Sequence, residues 1–93
     1  MTNKYEVALV LSVANGDEAV NALKEKFHDL IAKNGTVENV DEWGKRRLAY
    51  PINDETEGYY IFTTMTSEPS LPAELERIAG ITEGVLRIMV IRK

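Results

Sequence analysis

Lys4-Tyr5-Glu6-Val7-Ala8-Leu9-Val10-Leu11-Ser12 is the stretch from which the rest of the chain can be read. In an extended backbone Tyr5, Val7, Leu9 and Leu11 fall on one side, and Glu6, Ala8 and Val10 on the other. Both sides are apolar beyond Glu6, so the segment predicts a strand at the centre of a sheet, with neighbours on either edge.

Working outward, Ala14-Asn15-Gly16-Asp17 reads as a turn in which Asn15 or Asp17 can cap a helix. Val20, Leu23, Phe27, Leu30 and Ile31 then recur at three- and four-residue spacing, with Glu25, Lys26, Asp29 and Lys33 on the opposite side. This is an amphipathic helix. Asn34-Gly35 should end it, with Gly35 suited to the left-handed position beyond the last turn. Thr36 to Trp43 is a strand with an irregular beat, Gly44 marks a bulge or bend, and Lys45 to Ile52 resumes the extended pattern. Asn53-Asp54-Glu55-Thr56-Glu57-Gly58 is a polar turn before a clear strand, Tyr59 to Thr66, and these two strands predict a hairpin. Ser67 to Pro72 opens a second helix with Leu71, Leu75 and Ile78 inside and Gly80 as its stop. After Gly84, residues Val85 to Arg92 alternate Leu86, Ile88 and Val90 with Arg87, Met89 and Ile91.

The order strand, helix, strand, strand, helix, strand is the split βαβ pattern. It predicts an α+β, ferredoxin-like domain over residues 1–93, a four-stranded antiparallel sheet with both helices on one face. The other face is then open. Tyr60 and Phe62 share one side of their strand, and Arg87, Met89 and Ile91 share one side of theirs. If those sides line the open face, they form an exposed apolar patch of the kind that meets a partner.

Composition narrows the function. A chain of 93 residues has room for a thin core and little for a deep enclosed site. No apolar run approaches the roughly 18 residues of a membrane helix, and the start lacks a signal-peptide pattern, so a cytoplasmic protein is expected. There is no cysteine, which removes disulfides, thiolate metal sites and thiol catalysis. His28, the single histidine, reads as a surface residue of the first helix. Nucleophile elbows and Gly-rich phosphate loops are missing. The adjacent acids Asp17-Glu18 and Asp41-Glu42 point apart on any regular element and make poor dyads. No catalytic residue, metal site or cofactor is expected.

Charge adds a contrast. The net charge is −4, yet Lys45-Arg46-Arg47-Leu48-Ala49-Tyr50-Pro51-Ile52 places three consecutive cations on a rigid strand beside an aromatic ring. Such an arrangement suits a phosphate backbone. The competing reading is an edge-strand guard against aggregation. Consecutive strand residues face opposite ways, so Arg46 and Arg47 cannot both meet one flat surface. Glu57 to Phe62 faintly resembles the aromatic strand of RNA-recognition motifs, but Glu57 has the wrong sign and Ile61 replaces a stacking ring. Base stacking on the sheet is therefore disfavoured, and Trp43 reads as a half-buried strand residue packed across the bend at Gly44.

Tyr5-Glu6 in the first strand, Arg46-Arg47-Leu48-Ala49-Tyr50-Pro51-Ile52, Gly58-Tyr59, and Arg87 to Val90 together resemble the bacterial small-subunit ribosomal protein S6 family over nearly the whole chain. Where many members carry paired arginines in the last strand, this chain has Leu86 before Arg87. The resemblance implies a ferredoxin-like ribosomal protein without catalytic activity. It implies binding to the central domain of small-subunit ribosomal RNA as a heterodimer with ribosomal protein S18, a small basic protein. On this reading Lys45, Arg46, Arg47 and Arg87 hold phosphates beside Tyr50, while Tyr60, Phe62, Met89 and Ile91 meet the protein partner. Strand pairing is expected to gather the arginines into one docking surface. A small-molecule-binding domain of the same fold, or a homo-oligomeric scaffold using the open face, are the alternatives. The turns at 14–17 and 53–58 lack the gathered cations that an anionic metabolite would need.

Overall fold

The computed structural model describes residues 2–52 and 54–93. Its elements are β1 (Asn3–Ser12), α1 (Asp17–Asn34), β2 (Gly35–Ile52), β3 (Glu55–Ser67), α2 (Ser70–Ile81) and β4 (Val85–Arg92). The strands form one sheet in the order β2-β3-β1-β4, and every pairing is antiparallel. The ferredoxin-like α+β fold expected from element order is the fold observed, and β1 lies inside the sheet as its two-sided apolar pattern requires.

The core lies between one face of the sheet and the helices. Tyr5, Val7, Leu9 and Leu11 of β1 and Ile61 and Met65 of β3 pack there against Val20, Phe27 and Ile31 of α1 and Leu71, Leu75 and Ala79 of α2. Burying one such side chain stabilises by about 1.5–3 kcal/mol. Ser12 is buried where β1 ends. Its hydroxyl donates to Glu55 Oε1 at 2.6 Å and accepts from the Ala14 N–H at 3.2 Å, which ties β1 to the start of β3.

Several boundaries differ from the sequence reading. Neither Asn15 nor Asp17 caps α1; the N-cap is Gly16, and Asp17 and Glu18 in the first turn supply the negative charge that the helix dipole favours there. Gly35 is extended, as the first residue of β2, and not left-handed. A Cβ at Gly35 would lie 2.7 Å from the Thr66 carbonyl oxygen, so close strand approach is what selects glycine. Gly80 does not stop α2, which runs on to Ile81. The helix is closed by Thr82, whose N–H reaches the Ala79 carbonyl at 3.3 Å and whose hydroxyl donates to Ile78 O at 2.5 Å.

The β2–β3 ribbon is longer than its sequence pattern suggests, because β3 begins at Glu55. Register shifts between Val37 and Asn39, between Glu42 and Gly44, and between Arg47 and Ile52 account for the irregular beat of β2. At the second shift Gly44 has φ +78°, the left-handed conformation expected of a bulge glycine. At the third, Arg47 pairs with Glu57 and Ile52 with Glu55. Leu48, Ala49, Tyr50 and Pro51 therefore loop out opposite Thr56 alone, and Pro51 has no N–H to lose there. Of the predicted turn, Asn53 lies outside the described residues; Asp54, at φ +64°, belongs to the hairpin tip.

Candidate functional site

Register places the predicted partner residues together. On β1, Ala8 sits between Phe62 and Met89, Val10 between Tyr60 and Arg87, and Glu6 between Thr64 and Ile91. Directly paired residues share a face, so Tyr60, Phe62, Arg87, Met89 and Ile91 lie together on the face away from the helices. Over this face leans the looped-out segment of β2. Leu48, Ala49, Tyr50 and Ile52 line a hollow of about 290 Å³ together with those five residues and Glu6, Ala8 and Val10. Leu48 is buried at its base, whereas Tyr50, Met89 and Ile91 remain exposed.

The cations are arranged differently from the expectation. Arg46 pairs with Gly58 on the open-face side, while Lys45 pairs with Tyr59 and Arg47 with Glu57. These residues lie on β2 and Arg87 on β4, which are the two opposite edges of the sheet. Strand pairing alone thus holds Arg46 and Arg87 apart. The link between the edges is the looped-out segment, which carries Tyr50 across the sheet until Arg87 Nη1 donates to its hydroxyl at 3.4 Å. Lys45, Arg46, Arg47 and Arg87 are all exposed. Among the described residues none of the four is paired with a carboxylate, in contrast to Lys4–Glu38 at 3.0 Å, Lys24–Glu42 at 2.8 Å and Lys93–Glu6 at 3.5 Å. Cations without internal partners keep their charge available to an external anion.

Toward its other end the open face carries paired charges. Glu6 and Glu38 lie there with their lysines, and the Thr66 hydroxyl, followed by Lys4, holds the Glu38 carboxyl below its ordinary range. Asp41, opposite Phe62, pairs with no cation among the described residues; its Oδ2 accepts from Trp43 Nε1–H at 3.0 Å. Trp43 is 50% exposed and rests on Phe62 with ring centroids 4.6 Å apart. The half-buried strand position expected beside the bend is what is found; its place in the open-face row of rings, against Phe62, is what the sequence pattern does not show. The nearest signal was the adjacent Gly44, since a bulge lifts its neighbour out of the ladder.

On the helix side, Lys24 of α1 and the Tyr59 hydroxyl both donate to Glu42 Oε1 at 2.8 Å. The Lys24 hydrogen bond, then that of Tyr59, pulls the Glu42 carboxyl below its ordinary pKa; Glu42 in turn raises Lys24 and Tyr59. This cluster fastens α1 to the ribbon just before the bulge. A hollow of about 360 Å³ beside it is rimmed by Lys24, Glu25, His28, Asp29 and Glu42, a mixed set in which acids predominate and no cations gather to hold an anionic metabolite. Among the described residues no group of His, Cys, Asp and Glu has the arrangement of a metal site, and no helix is long and apolar enough to cross a membrane.

The profile of the family described as ribosomal protein S6 matches residues 4–92. The small ribosomal subunit protein bS6 of Clostridium novyi is 51% identical over 88 residues, covering 94% of this chain and 93% of that protein. The bS6 of Clostridium perfringens is 48% identical, with 97% and 96% covered. Among solved structures, the 30S ribosomal protein S6 of Thermotoga maritima superposes with a TM-score of 0.92 over all of this chain and 89% of its own, at 23% identity.

Proposed function

This chain belongs to the ribosomal protein S6 family, and on that premise we propose that it binds small-subunit ribosomal RNA through Lys45, Arg46, Arg47, Tyr50 and Arg87. In the same reading it pairs with ribosomal protein S18 through Tyr60, Phe62, Met89 and Ile91. As a member of that family it is a structural, non-enzymatic component of the small ribosomal subunit in the cytoplasm. The RNA target is the central domain, engaged by the heterodimer. The observation that carries it is the Tyr50–Arg87 contact, 37 residues apart in sequence, which joins two cationic edges that strand pairing leaves separate. Phosphate contacts from these side chains fix position and register, and RNA shape supplies specificity. An acidic chain, at net charge −4, is steered toward a basic protein partner, and the partner adds attraction for RNA that this chain lacks alone.

The test is a salt titration of RNA affinity with S18 present. Arg46→Ala combined with Arg47→Ala should weaken binding and flatten the dependence of log K on log salt by about 0.7–0.9 for each phosphate that is no longer neutralised. An unchanged slope means these side chains touch no phosphate.

A further inference from the structure

We propose that Trp43 and Asp41 form a receiving site for one cationic side chain, a guanidinium in particular, of the basic protein partner. The inference rests on the partner reading above and adds the chemistry of recognition. Trp43, Phe62 and Tyr60 form a row of rings, with centroid separations of 4.6 and 6.4 Å, that extends the wall of the open-face hollow toward β2. The bulge at Glu42–Gly44 lifts Trp43 from the ladder and leaves half of it in solvent. Its Nε1–H donates to Asp41 Oδ2, which sets the orientation of the indole and holds a carboxylate at the edge of the ring.

An aromatic face attracts a cation held within about 6 Å of its centroid, and tryptophan does so best. Asp41 supplies the complementary charge. Glu6, Glu38 and Glu42 each already hold a lysine, whereas Asp41 holds none among the described residues, so an incoming cation has no competitor there to displace. Arginine suits the site better than lysine because its planar group can stack on the indole while its N–H groups reach the carboxylate. A stacked nucleobase fits less well. Its phosphate would approach Asp41, while Lys45 and Arg46 stand two and three residues beyond Trp43, roughly 7–10 Å along an extended chain.

Trp43 is the single tryptophan of the chain, so its emission reports this site alone when S18 contains none or is supplied with Trp replaced by Phe. Adding purified S18 to the full chain should shift or quench that emission. Trp43→Leu should weaken S18 binding about 3- to 30-fold. Asp41→Asn, which still accepts from the indole N–H, should weaken it several-fold in low salt, less in high salt, and hardly at all once Trp43 is leucine. Both positions are exposed, and matching thermal midpoints verify folding. If S18 binds the unmodified chain and both variants within twofold of one another, this inference is overturned while the partner reading stands. If S18 does not bind the unmodified chain, both fall. Quenching by a single-stranded ribo-oligonucleotide but not by S18 overturns the proposal in favour of a base platform.

Discussion

On the helix-covered face Leu11, Met65 and Leu75 of α2 share the core with 0% of their surfaces exposed, whereas on the opposite face Met89 and Ile91 keep 39% and 50% of theirs. The same strands make both faces, and alternation assigns each residue to one or the other. The covered face is apolar because stability requires it. On the open face Val10 and Leu48 are buried while Tyr50, Met89 and Ile91 stay exposed, and among the described residues this apolar area is bordered by cations without carboxylate partners and, on β2 level with Phe62, by an aspartate without a cation. This contrast separates residues that hold the fold from residues available for contact.

The largest expected effect probes that separation directly. Leu75→Ala empties a fully buried site and should destabilise the isolated chain by about 2–5 kcal/mol in urea unfolding. Met89→Ala, partly exposed, should cost less than about 1 kcal/mol, while weakening S18 binding. Equal losses of stability would mean that the open face is packed by the chain itself and is not held in reserve. Next in size is Gly58→Ala. A Cβ there would lie 2.6 Å from Val10 Cγ1 and 3.3 Å from Leu48 Cδ2, so the Val10 side chain must shift and Leu48 of the looped-out segment must give slightly. Overpacking of this kind costs about 1–3 kcal/mol. Because Leu48 leads into Tyr50, the variant should also weaken RNA binding in the presence of S18; a stability loss with RNA binding intact would break the link between the loop and the cationic edge.

Much of this contrast was legible in the chain itself. The two-sided apolar run from Tyr5 to Leu11 gave the central strand, and the alternation of Arg87, Met89 and Ile91 put them with Tyr60 and Phe62. Those are local period-two patterns, which pairing preserves. What was not legible depends on distance in sequence or on contacts across strands. Gly35 looked like a helix terminator, but its requirement comes from Thr66, thirty-one positions away on β3. Polar residues at Glu55 and Thr56 hid the start of β3, because strand pairing there is held by backbone bonds and the Ser12–Glu55 contact and not by an apolar beat. Tyr50 sits in a stretch that reads as regular strand, and only the shift after Arg47 shows that it leaves the ladder and crosses to Arg87. Trp43 joins the open-face rings for the same reason, since a bulge moves a side chain without changing the residues that flank it.

The smallest expected effect concerns the polar clasp behind Trp43. Glu42 contacts Lys24 and Tyr59 on the helix side, one residue from the indole on the open side, and so tests whether the two faces are independent at their shared border. Its side chain is 44% exposed, which limits the pair to about 0.5 kcal/mol after solvent screening. In the folded chain the Glu42 carboxyl lies below its ordinary value of 4.5, so it binds its proton less tightly there than in the unfolded chain. Stability from it is present above pH 4.5 and lost as pH falls through the lowered value. Tyr59 and Lys24 are raised above 10.0 and 10.5, and their contributions are lost as pH rises beyond those values. Glu42→Gln should therefore cost about 0.5 kcal/mol at pH 7 and progressively less below pH 4.5, with S18 affinity within twofold of the unmodified chain. A larger change in partner affinity than in stability would show that the clasp acts through Trp43, and that the border between the two faces transmits what happens on one side to the other.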